Sequence, residues 1–149
     1  MKVSKNFIAQ EFISKDHYDY LIDRYGTTDG FLNAFYRYID YDTVILAQNV
    51  RDFLGSSIII NDWYYGGNFQ NRGFRTSDFY DTDNKFKLSQ HQRGLAIDFH
   101  SNTYTPDEIR DKIMPAYKEL GFWRVEMGVN WVHIDRCKGI SDELVKFYP

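Results

Sequence analysis

One cysteine, three prolines and no long apolar run are what this chain of 149 residues has least of. With Cys137 alone, an intramolecular disulfide and a cysteine-rich metal knuckle are both excluded, and the residue reads as a small buried side chain near a strand end. No segment approaches the ~20 apolar residues that span a bilayer. No apolar stretch follows the lysines of Met1-Lys2-Val3-Ser4-Lys5-Asn6 either, so a signal peptide is not expected. These absences predict a protein without membrane insertion, kept in the cytoplasm unless something else releases it. Excess positive charge is missing too. Eighteen Lys and Arg against 21 Asp and Glu leave a net charge of −3, which gives no footprint for a phosphate backbone and disfavours nucleic acid as a partner. No repeat, low-complexity tract or Pro/Gly/Ser linker divides the chain. Residues 1–149 therefore read as a single domain, long enough to bury a core and expected to be monomeric.

Aromatic residues are abundant: 12 Tyr, 12 Phe and 3 Trp make 18% of the chain, more than one small core needs. Some are expected to line a surface groove. The most organised stretch is 88–100, Leu-Ser-Gln-His-Gln-Arg-Gly-Leu-Ala-Ile-Asp-Phe-His. Strand alternation sends Leu95, Ile97 and Phe99 to one face and Ala96, Asp98 and His100 to the other. Gly94 lets the preceding loop turn sharply enough to bring His91 over Asp98. A second alternating stretch, Trp131-Val132-His133-Ile134-Asp135, puts His133 on the polar face with Trp131 and Asp135. His91, Asp98 and His133 offer two imidazole nitrogens and one carboxylate oxygen, a set suited to Zn²⁺ with a fourth position open for water, the pattern of catalytic sites.

The pattern Ser89-x-His91-x-x-Gly94-x-Ala96-x-Asp98, followed by Trp131-x-His133, resembles the zinc D,D-peptidases of the M15 type. That group includes D-alanyl-D-alanine carboxypeptidases, L-alanyl-D-glutamate endopeptidases of phage lysins and the metal fold of hedgehog signalling domains. Lys5-Asn6-Phe7 with Glu11-Phe12 is similar to the opening of many phage members, and Arg72-Gly73-Phe74-Arg75 sits where the family carries an arginine. The resemblance implies a cell-wall hydrolase of the phage-endolysin kind, with a peptidoglycan peptide as substrate and His91, Asp98 and His133 as zinc ligands. It makes Arg75 the arginine that steadies a substrate carbonyl or carboxylate, with Arg72 as the fallback. Ser89 resembles a position that hydrogen-bonds near the substrate or a ligand. The chain departs from the family at Asn130: many members carry their catalytic base three residues before the last histidine, and an amide cannot accept a proton.

Turn chemistry offers a replacement. If Gly128-Val129 forms a type II′ turn, Val125 faces Val132, Arg124 faces His133 and Glu126 faces Trp131, so Glu126 shares the polar face with His133. Glu126 is then the expected general base, and Asp135 the rival base or a partner that orients an imidazole. His100 lies ~6.6 Å beyond Asp98 along the strand and is expected to contact substrate or a ligand rather than the metal; His17 reads as structural. Helices are expected from Asp29, over Asp42 to Leu54 with a stripe of Leu46, Val50, Phe53 and Leu54, from the capping box Thr105-Pro106-Asp107-Glu108 with a kink at Pro115, and from Ser141. Ser57 to Asn61 reads as a buried strand. Trp63 to Arg75, rich in glycine and aromatics, reads equally as a groove wall or as a loop over the core, and Thr76 to Lys87 as an exposed loop. The class is α+β, a small, mainly antiparallel sheet with helices on one face and the zinc site on the other. Two other functions stay open: a metal-binding domain without catalysis that binds wall peptide or a protein partner, and, more weakly, an aromatic platform for carbohydrate or nucleic acid.

Overall fold

Two strands with one apolar and one polar face form the middle of the molecule. In a computed structural model describing residues 1–27, 29–77 and 89–149, β1 (Ala96–Phe99) and β3 (Val132–Asp135) pair antiparallel, with Asp98 opposite His133 and Ile97 opposite Ile134. β2 (Arg124–Glu126) pairs antiparallel with the other edge of β3, and β4 (Val145–Phe147) runs parallel to β2, giving the order β1-β3-β2-β4. Ile97, Phe99, Val125, Val132 and Ile134 are fully buried on the apolar face. Each such side chain contributes about 1.5–3 kcal/mol relative to exposure.

Helices cover that face. α3 (Tyr41–Leu54) packs on β1 and α4 (Pro106–Ile113) on β3. α3 starts where Asp40 accepts from the Asp42 amide at 2.9 Å and stops at Gly55 in the left-handed conformation. Leu46, Val50 and Leu54 are buried as the stripe predicts, whereas Phe53 faces solvent. α4 begins with the expected reciprocal cap, Thr105 accepting from the Glu108 amide and Glu108 from the Thr105 amide. Pro115 interrupts the helix as a 3₁₀ turn, Met114–Ala116, before α5 (Tyr117–Leu120). α1 (Lys15–Tyr25) and α2 (Asp29–Phe35) pack together beside this layer. The result is one small α+β domain, and no described helix is long and apolar enough to cross a membrane.

The structure corrects several expectations. The C-terminal segment is β4 rather than a helix from Ser141, because the outer edge of β2 offers partners: the Val145 amide donates to Trp123 O at 2.9 Å and the Met127 amide to Phe147 O at 2.8 Å. Ser57 to Asn61 forms only a bridge between Ile59 and His100, although Ile58, Ile60 and Asn61 are buried. Cys137 is half-buried rather than buried. Of the loop expected over Thr76 to Lys87, residues 78–87 lie outside the described residues, as does Leu88.

The hairpin differs in register. Arg124 pairs with Asp135 and Val125 with Ile134, two residues away from the pairing a two-residue turn gives, and residues 127–131 form the connection. Gly128 does take a positive φ of 77°. What holds the longer loop is a side chain from another element. Arg110 of α4, 2% exposed, donates to Val129 O and Trp131 O, each at 2.7 Å, and to Asp107 at 2.9 Å. Because the slip is by two, every side chain keeps its face.

Candidate metal centre

His91 reaches the sheet from the turn before β1. Gly94 makes that turn possible: its φ is 67°, and a Cβ there would lie 2.0 Å from the Tyr38 carbonyl oxygen. Ser89 Oγ accepts from the His91 amide at 3.2 Å, bracing the same turn. On the sheet, alternation aims Asp98 and His133 to one side, and His91 closes over them. His91, Asp98 and His133 are all buried and form a group that can hold a metal ion.

The converging atoms are His91 Nε2, Asp98 Oδ1 and His133 Nδ1, separated by 3.2 Å (His91 to His133), 3.2 Å (His91 to Asp98) and 2.7 Å (Asp98 to His133). Ligands ~2.0–2.2 Å from a tetrahedral divalent ion stand about 3.3 Å apart, so the three need only a slight outward adjustment to take one. The far nitrogens decide which atoms point inward. His91 Nδ1 sits 2.7 Å from Gly73 O, which can only accept, so that nitrogen carries the proton and Nε2 presents a lone pair. His133 Nε2 sits 3.3 Å from Asp135 Oδ2 and donates to it, leaving Nδ1 for the centre. Two lone pairs and a carboxylate oxygen gathered out of water favour a bound cation.

Charge follows the same geometry. Burial lowers the His91 pKa, opposed by Asp98. Burial alone would also lower His133, but hydrogen bonds to Asp135 and Asp98 prevail and push it up to about 9. Asp98 would be raised by burial, yet the hydrogen bond from His133 and the closeness of both imidazoles hold it far below the usual carboxylate range. Arg75 also donates to Asp98 Oδ2, and its Nε donates to Asn71 O at 2.5 Å.

These groups line a cavity of about 290 Å³ together with Ser89, Arg124, Glu126, Trp131, Asp135 and Phe147. Glu126 thus stands on the ligand face, as turn geometry predicts, although the pairing beneath it is different. Asp135 is fully buried behind His133, with Oδ1 accepting from the Cys137 amide at 2.9 Å. Asn130 is exposed and does not line the cavity. Arg72 and Phe69 border a neighbouring cavity of about 300 Å³ that shares Arg75, Asp98 and Trp131 with the first, and His100 lies behind them, its Nδ1 2.5 Å from Arg72 Nη1. Within Trp63 to Arg75, residues 68–72 and Arg75 line this cavity, while Gly73 is buried against Phe12 and Phe74 packs on the core. His17 packs edge-on against Tyr38 and Phe74 beside a different cavity of about 680 Å³.

Three contributors escaped the sequence. The Gly73 carbonyl orients His91, but a backbone acceptor leaves no trace in residue type. Its glycine does leave one: a Cβ would lie 2.1 Å from Phe12 O. Arg110 looks like any helix arginine. Phe147, whose ring centroid is 5.6 Å from that of His133, arrives only because the C-terminus joins the sheet. No family model matches the chain, and neither does a curated protein or a solved structure.

Proposed function

We propose that the chain is a zinc peptidase of the M15 type that hydrolyses peptide bonds in peptidoglycan stems or cross-links, in the manner of a phage lysin. One observation carries the reading: each imidazole is held at its far nitrogen, His91 by Gly73 O and His133 by Asp135, so that the near nitrogens converge with Asp98 on one point. Two such nitrogens and one carboxylate oxygen favour Zn²⁺, and three protein ligands fit a catalytic site better than a structural one. When bound, Zn²⁺ supplies Lewis acidity toward a water and a peptide carbonyl.

The rest of the chemistry belongs to the chain. Glu126 takes the proton of the attacking water and returns it to the leaving amine. Extending the β2–β3 register by one residue places it opposite His133, and with Asn130 outside the cavity no other residue fills the role as directly. Asp135 positions His133. Arg75 fixes the second oxygen of Asp98 and presents a guanidinium beside the reacting carbonyl. Ser89 and Trp131 line the cleft.

Elemental analysis of the purified protein, paired with digestion of purified peptidoglycan and mass spectrometry of the fragments, tests the reading. One zinc per chain and peptide-bond fragments are expected. Zinc without fragments favours the metal-binding domain that the asparagine at position 130 suggests. Absence of zinc removes both.

A further inference from the structure

A cavity of about 680 Å³ lies along the first half of α1, with Tyr38 and residues of the segment 70–77 as its other walls, and the chemistry above leaves it unused. That is more than twice the volume of either cavity at the candidate metal centre and within the ~300–1,000 Å³ of small-molecule sites. Rings make up much of its lining. His17 sits edge-on to Tyr38, Phe74 and Tyr20, with centroids 4.2, 5.0 and 6.3 Å away, and Tyr20, 49% exposed, can still cover a ligand. Neutral polar groups stand among the rings: the hydroxyls of Ser14 and Thr76 and the amides of Gln70 and Asn71. No Lys or Arg lines the cavity among the described residues, and Asp16 is its one carboxylate, so a phosphate or carboxylate ligand would find no counter-charge. His17 Nε2 is buried without a hydrogen-bond partner among the described residues, the kind of polar atom that a water or a ligand hydroxyl satisfies. The cavity also continues into the groove. Gln70 and Asn71 line both it and the cavity of about 300 Å³ beside Asp98. Their segment is held in place: Asn71 O accepts from Arg75 Nε at 2.5 Å, and the Phe74 amide donates to Phe12 O at 2.8 Å.

We propose that this cavity is a glycan subsite that takes an N-acetylated amino-sugar ring. Such a ring is neutral, carries hydroxyls and an amide around its rim, and offers C–H groups to the faces of aromatic side chains, which complements hydroxyls, amides and rings in the wall. Through Gln70 and Asn71 the groove receives a stem peptide together with the amino sugar to which it is attached. That second step rests on the peptidase reading; the sugar site itself does not.

The test measures binding as well as cleavage. Isotope-labelled protein is titrated by NMR with chitotriose, and with maltotriose as a sugar that lacks the N-acetyl group. Chitotriose should give saturable shifts in the His17 ring and in the amides of α1 and of Gln70 and Asn71, and maltotriose none. Tyr20→Ala and Gln70→Ala, both at exposed positions, should each weaken chitotriose binding ~10-fold. In zinc-loaded protein a stem peptide that keeps its amino sugar should be cleaved with a kcat/KM ~10-fold above that of the bare peptide, mainly through KM. Tyr20→Ala should remove that advantage and leave cleavage of the bare peptide unchanged. No saturable shift from chitotriose, equal shifts from maltotriose, or shifts from the bare peptide alone would overturn the sugar site. Cleavage that gains nothing from the sugar overturns the joined groove. Chitotriose binding in a protein that cleaves neither peptide overturns the peptidase reading and leaves the sugar site standing.

Discussion

His91 and His133 meet at one point from opposite kinds of surroundings. The loop side holds its imidazole with a backbone carbonyl, Gly73 O, which orients the ring and adds no charge. The strand side places its imidazole between two carboxylates, Asp98 at 2.7 Å and Asp135 at 3.3 Å. Geometrically the two far-side contacts do the same work, fixing a tautomer. Electrostatically they differ. A neutral acceptor leaves burial in control, and the His91 pKa falls; the carboxylates overcome burial, and the His133 pKa rises to about 9. His133 is therefore the candidate ligand at which a proton would compete with a metal ion, and His91 the one already prepared for it.

Removing a ligand is the harshest way to break this comparison. His91→Ala and His133→Ala should each lose stoichiometric zinc, read by elemental analysis after dialysis, and full occupancy in both variants would reject the ligand set. Glu126→Gln should leave zinc in place and lower the turnover of wall peptides by ~10²–10⁴-fold, the usual contribution of a general base. An unchanged rate would move the role elsewhere.

Asp135→Asn sharpens the comparison, because it makes the strand-side partner as neutral as the loop-side one. Zinc affinity is expected to fall ~10- to 100-fold, and the His133 resonance, followed by NMR in metal-free protein, should titrate at lower pH than in the wild type. If that titration does not move, Asp135 is not what raises it.

The pH dependence of metal-free protein separates the two imidazoles with the smallest effect. His133 has a folded pKa above its ordinary 6.5, so its contribution is fully present below about 6.5 and is lost as pH rises toward about 9. His91 has a folded pKa below 6.5, so burying it neutral costs stability as pH falls under that value. His17 and His100 are lowered as well and act in the same sense as His91. Thermal melts of metal-free protein should accordingly peak near pH 6.5. Zinc binding runs the other way over the alkaline limb, strengthening by up to about tenfold per unit as His133 loses its proton and levelling near pH 9. A metal-free melt that stays flat from pH 6.5 to 9 would contradict the strand-side assignment.

What the sequence determined by itself is whatever depends on local periodicity. Alternation over 95–100 and 131–135 decides which side chains share a face, since a strand has a repeat of two whatever it pairs with. Asp98 and His133 on one face, Ile97 and Ile134 on the other, were legible for that reason, as were the Thr105 cap and the turn at Gly94. Glu126 reached the correct face even though its pairing partner was misread, because a slip of two residues preserves parity.

The tertiary structure decided what depends on groups distant in the chain. The β2–β3 register is set by Arg110, which reaches from α4 into the connecting loop. The C-terminus becomes a strand because the outer edge of β2 is there to receive it, bringing Phe147 to His133. The division between Arg72 and Arg75 follows from which of them stands over Asp98 and which over Phe69. Hydrogen bonds of this kind link residues that no short window of sequence contains together, so only the folded chain could assign them.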